Sequence, residues 1–154
     1  VIFKTRGLLF LLSGLCFFNS LLFAEIVTEV GTDGTLTLES GKQVVLAGVL
    51  MDMEGVSVLR VLAQKQDIKL QLIPNPVSGA KEAAYAYLQA KYLRLPSKLN
   101  AIPDEQEVLI NEFLVKIGAA KVDETRDFSH KAKFLKVQEE ARAKGEGVWS
   151  YEVS

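Results

Sequence analysis

Three acids in this chain could share a hard cation: Asp33 in the turn T-D-G-T, and Asp52 and Glu54 in the segment M-D-M-E. Carboxylate oxygens are the donors that calcium and magnesium take. The plainer assignment is a turn aspartate, a loop acid and an acid at a helix entry, where the helix dipole favours negative charge. His130 is the only histidine. It sits in the first turn of an expected surface helix with no serine or cysteine nucleophile suggested nearby, so a structural or solvent-exposed role is expected. Tyr85, Tyr87 and Tyr92 offer ring faces on which bases could stack, although strand tyrosines commonly serve packing. Lys131, Lys133, Lys136, Arg142 and Lys144 interleave with Glu139 and Glu140, the pattern of a solvated helix face rather than a phosphate track.

Charge and cysteine usage narrow the field. The chain has 18 Lys plus Arg against 19 Asp plus Glu. Lys4 and Arg6 precede an apolar run over residues 8–23 that ends in Leu22-Phe23-Ala24, the layout of an export leader cut after Ala24. The run is short and interrupted for a bilayer span, so no stable membrane anchor is expected once it is cut. Residues 1–24 are therefore expected to be a signal peptide and residues 25–154 a single exported domain, periplasmic or secreted. Without Lys4 and Arg6 the balance is 16 basic against 19 acidic, a net of −3. A domain whose main task is gripping polyanions usually carries a basic excess, so net charge does not support a nucleic-acid partner. Cys16, the only cysteine, would leave with the leader, which excludes disulfides and thiolate metal sites from the remainder.

The elements that must position these residues follow from periodicity. Ile26, Val27 and Val30 suggest a first strand. Leu36 and Leu38 alternate with Thr35, Thr37 and Glu39, Ser40-Gly41-Lys42 supplies a turn, and residues 44–49 form an apolar return strand. Val58, Leu59, Leu62 and Ala63 then lie three and four apart, a helix from about Gly55. Ile68, Leu70 and Leu72 mark a fourth strand, stopped by Pro74, with a loop over residues 74–79. Alternation over residues 84–90 gives a fifth, with alanines on one side and Tyr85 and Tyr87 on the other. A loop beginning at Arg94 leads to a helix that starts near Glu105 or only at Asn111, carries Leu109, Phe113, Leu114 and Ile117, and stops at Gly118. A last helix, capped by Asp127 or Ser129, buries Phe134, Val137 and Ala141 and ends at Gly145, after which Val148 and Trp149 fold back as a core plug.

Strand, strand, strand, helix, strand, strand, helix, helix is the order of an OB-fold barrel with appended helices. The residues 111–122, N-E-F-L-V-K-I-G-A-A-K-V, look like the N-E-x-L-V-x-x-G-x-A-x-V helix of the secreted thermonucleases, the staphylococcal-nuclease-like domain. Ala141-Arg142 leading to Gly147-Val148-Trp149-Ser150 is similar to that family's closing motif, and Thr35 to Val49 resembles its opening hairpin. The expected fold is accordingly α+β: a five-stranded OB-fold-like barrel with three packed helices.

The resemblance implies phosphodiester hydrolysis with a bound calcium, a glutamate acting on water and two arginines on the phosphate. In this chain the motif D-G-D-T is reduced to Asp33-Gly34-Thr35, and the first arginine is Val45. Counted without gaps, the calcium aspartate is Leu50 and the catalytic glutamate is Met53. The cation nearest the second arginine is Lys81, which lacks the planar fork of a guanidinium. A shifted alignment would put Asp52 and Glu54 where the family's acids stood. Two expectations follow. The first is an exported pseudoenzyme, with no cofactor, that presents its barrel face to a protein, peptide or small ligand. The alternative is a divergent calcium-dependent nuclease acting on DNA or RNA, with Asp33 and Asp52 on the metal and Glu54 and Lys81 on the chemistry.

Overall fold

The alternating stretches fold as strands that curl around one apolar core. A computed structural model describes residues 22–74, 80–93 and 102–152. Most of the expected leader, residues 75–79 of one expected loop and residues 94–101 of the other lie outside the described residues. The order is β1 (Leu22–Val30), β2 (Leu36–Leu38), β3 (Gln43–Leu46), β4 (Val49–Leu50), α1 (Met53–Ala63), β5 (Asp67–Ile73), β6 (Glu82–Gln89), β7 (Glu107–Leu109), α2 (Ile110–Lys116), β8 (Lys121–Val122) and α3 (Lys131–Lys144).

β1 serves two neighbours. Its first half pairs antiparallel with β5, from Leu22 opposite Gln71 to Ile26 opposite Asp67, and its second half pairs with β2 after a bulge between Val27 and Glu29. The bulge lets one strand turn a corner of the barrel. β2 returns as β3 through a turn in which Gly41, at φ +84°, donates its N–H to Leu38 O. β5 pairs with β6, and β6 closes the ring by running parallel to β3, with Val44, Val45 and Leu46 opposite Glu82, Ala83 and Ala84. The result is a closed five-stranded mixed barrel with three helices, the α+β architecture expected. Among the described residues no helix is long and apolar enough to cross a membrane.

Leu36, Leu38, Val44, Leu46, Ile68, Leu70, Ala84 and Ala86 fill the interior. α1 covers one side with Val56, Leu59 and Leu62, and Arg60 ties it to β1 by donating Nη2 to Val30 O at 3.2 Å. Gly55 lets this helix approach the loop after α2: a Cβ there would collide with the carbonyl oxygen of Ala119. α3 buries Phe134 and Ala141 and ends on Gly145 in the left-handed conformation. The chain then folds back, Val148 donating its N–H to Gly118 O, and Trp149 becomes 5% exposed. Lys121 and Arg142 lie over its ring at 4.6 and 5.2 Å.

Four details differ from the sequence expectations. Leu109 belongs to β7 and not to the following helix, which starts at Ile110; three residues are too short to show alternation against a helical pattern that begins next to them. The return strand expected over residues 44–49 breaks at Gly48, φ +74°, and Val49 and Leu50 pair instead with β8. The residue capping α3 is His130, without a side-chain hydrogen bond, because Ser129 turns its hydroxyl to Tyr85 at 3.1 Å. β1 begins at Leu22, so it takes in the last three residues of the expected leader, with Phe23 half-buried against the core.

Candidate functional site

At one mouth of the barrel three polar side chains from distant parts of the chain meet. Asp33 sits in the turn between β1 and β2, where its Oδ1 accepts the N–H of Thr35 at 3.0 Å. Lys81, just before β6, donates from Nζ to Asp33 Oδ2 at 2.9 Å and to Thr35 Oγ1 at 2.7 Å. Closure of the barrel by β3 and β6 is what brings residue 81 to residue 33. The Lys81 ammonium, with help from the Thr35 N–H and hydroxyl, holds the Asp33 carboxyl well below the usual carboxylate range. Asp33 is therefore an ionised partner of Lys81 throughout the physiological range.

The other acids have different work. Asp52 caps α1, its Oδ1 accepting the Gly55 N–H at 2.8 Å. Glu54 lies in the first turn of α1, exposed, where its charge complements the helix dipole. Met51 packs over Gly34, which places the Asp33 turn beside the entry to α1. Next to these acids in sequence, Leu50 is 56% and Met53 84% exposed. Val45, half-buried on β3, stands opposite Ala83.

Calcium takes about six to eight oxygen ligands. Among the described residues no three of His, Cys, Asp and Glu are grouped so as to hold a metal ion. One oxygen of Asp33 receives an ammonium and the other a backbone N–H, and one oxygen of Asp52 caps a helix. The side chains present at this mouth do not fit the calcium that the family resemblance implies.

The tyrosines separate. Tyr85 and Tyr87 share the outer side of β6, as alternation requires, but the start of α3 covers Tyr85. Its ring meets His130 edge-on at 4.6 Å and Phe134 at 6.3 Å, and it is 2% exposed, so its faces are committed to packing. His130 likewise has a structural role between Tyr85 and Phe134. Tyr87 stays partly open, donating its hydroxyl to Gln71 Oε1 at 3.2 Å; burial and the Glu107 charge raise its pKa.

Two residues of consequence stood inside quoted motifs without being singled out as site or scaffold residues. Thr35, 4% exposed, is the third member of the mouth cluster, and only its place in a D-x-T turn hinted at it. Asn111 is fully buried at the start of α2 and bonds to the strands on either side of the barrel closure.

Residues 82–151 match the family described as staphylococcal nuclease homologue. That stretch holds β6, β7, α2, β8 and α3. Asp33, Asp52, Glu54 and Lys81 all precede it. No curated protein gives a match to the chain.

Proposed function

We propose that this staphylococcal-nuclease-like chain has kept the barrel without phosphodiester hydrolysis and acts after export as a non-catalytic binding module. The observation that carries this reading is the pairing of Lys81 with Asp33. A nuclease built on this mouth would need Asp33 free to hold a cation and Lys81 free to hold a phosphate. Joined at 2.9 Å, they supply each other's charge instead. Removing one donor directed at developing negative charge costs about a hundred- to a thousandfold in rate; by the family resemblance Val45 and Lys81 stand where two such donors would be, and, counted without gaps, Leu50 and Met53 stand where the metal aspartate and the glutamate would be.

The decisive experiment incubates the protein with single-stranded DNA and calcium beside a chelator control and the variants Asp52→Ala and Glu54→Ala. We expect no cleavage above the chelator control. Calcium-dependent cleavage that Glu54→Ala abolishes would overturn the proposal and establish the relocated-acid nuclease.

A further inference from the structure

On the flank of the barrel away from the Asp33 turn, β5, β6 and β7, with Ala24 of β1, border an open groove of about 480 Å³. That volume lies within the range of small-ligand sites, about 300–1,000 Å³. We infer that this groove binds a neutral, polyhydroxylated ligand, a short oligosaccharide. The inference rests on the binding-module reading in that it names a ligand class for the barrel face.

The lining argues for that class by its charge and its shapes. Its acids are Asp67 and Glu107 and its one cation is Lys69, which sits 2.9 Å from Glu107 Oε1 with its ammonium 5.9 Å from the centre of the Tyr87 ring. The lining residues thus carry one net negative charge, with Lys69 on Glu107 and the neighbouring Lys91 ammonium over the Tyr92 ring at 5.1 Å, and a phosphodiester finds little counter-charge there. A cationic peptide would gain little, because Glu107 is neutralised and Asp67 stands on the exposed rim.

What remains are planar hydrogen-bonding groups beside an aromatic surface. Gln66 and Gln89 are among the lining residues, and each side-chain amide has two donor hydrogens and an acceptor oxygen; Asp67, also in the lining, carries a carboxylate. Adjacent hydroxyls on a sugar ring both donate and accept, so they satisfy amides and carboxylates pairwise. Tyr92, in the turn of 3-10 helix after β6, is 49% exposed at the edge of the groove, and Tyr87 lies deeper. An ammonium already lies over each ring, Lys69 over Tyr87 and Lys91 over Tyr92, so the apolar C–H face of a pyranose would pack on the exposed part of Tyr92 while its rim hydroxyls reach the amides.

The test titrates the full chain with cellotetraose and, separately, chitotetraose, followed by amide and aromatic chemical shifts and by calorimetry. Parallel titrations use a thymidine hexanucleotide and a tetralysine peptide. We expect saturable shifts at Tyr87, Gln89 and Tyr92 with at least one saccharide, and about a tenfold loss of affinity in each of Tyr92→Ala and Gln89→Ala. Val61→Ser, an exposed change on α1, should leave affinity as it is. Saturation of the groove by the oligonucleotide or the peptide instead of a saccharide overturns the inference. So does the absence of saturable shifts with both saccharides, or saccharide affinity that Tyr92→Ala does not weaken. Cleavage of DNA in the calcium assay would refute the loss of hydrolysis, and the groove titration reads out independently of it.

Discussion

Asn111 offers the sharpest test of how this barrel is held. β3 leaves the ladder of β6 after Leu46, and beyond that point the inward-facing backbone groups of β6 need another partner. Asn111 supplies it: Oδ1 accepts the Ala86 N–H at 2.9 Å, and Nδ2 donates to Ala47 O at 2.9 Å and Ala84 O at 3.1 Å. In Asn111→Ala, Ala84 O keeps the Ala47 N–H, whereas the Ala86 N–H and Ala47 O lose the bonds that Asn111 makes. Each buried polar group left unsatisfied costs about 1–3 kcal/mol, so the substitution should cost about 2–6 kcal/mol. Against a typical total of about 5–15 kcal/mol that is a large fraction. With a urea m-value of about 2 kcal/mol/M, a loss of about 4 kcal/mol lowers the midpoint by about 2 M. Asn111→Asp should be no better near neutral pH, since it keeps the acceptor for Ala86 but aims a negative charge at two carbonyl oxygens. A loss below about 1 kcal/mol in Asn111→Ala, or an Asp variant as stable as wild type, would refute this account.

Two further predictions concern the mouth and the helix that flanks it. Because Lys81 and Thr35 depress the Asp33 pKa, the stabilisation from this group is complete above the ordinary carboxylate value, about 3.9, and is lost as pH falls through the lower folded value. Carbon-13 titration of the Asp33 carboxyl should show a midpoint below the usual range that moves upward in Lys81→Met; an unmoved midpoint would rule out the pair in solution. Gly55→Ala should destabilise by about 1–3 kcal/mol through overpacking against Ala119 O, opposite in sign to the gain of about 1 kcal/mol that the same change brings in an open helix. A raised thermal midpoint would show that α1 does not approach the loop this closely.

The parts of the fold that were legible are those set by local pattern. Leu36 and Leu38 announce a strand by alternation, Val58 to Ala63 a helix by spacing, and Gly118 and Gly145 mark helix ends that need the left-handed conformation. What was not legible depends on contacts between distant residues. β7, β4 and β8 are two or three residues long and owe their conformation to their partners rather than to any period of their own. The mouth cluster follows the same rule. Asp33 and Lys81 are each recognisable as chemistry-bearing residues, but they are 48 residues apart in sequence, and only barrel closure makes them partners. Alternation likewise assigns Tyr85 and Tyr87 to one side without revealing that α3 covers the first and leaves the second open.

The division between scaffold and site runs through the chain at a definite place. From residue 82 onward, where the family match begins, the residues that do the most are packing and backbone devices: Ala84 and Ala86 against the core, Asn111 across the closure, Gly118 beneath the C-terminal turn and Trp149 between two cations. None of them needs a substrate to explain it, because barrel closure alone demands small residues, a buried amide and a tight turn at those points. The relocated-acid alternative would need Asp33, Asp52, Glu54 and Lys81, all before residue 82, to be unengaged and converging. Three of them instead serve the barrel itself, as turn acid, ion-pair partner and helix cap, with Glu54 exposed beside them. A fold constrains its scaffold much more tightly than its chemistry. Sequence similarity concentrated in the scaffold therefore identifies the architecture, while the mouth must be judged by which groups its charged side chains actually meet.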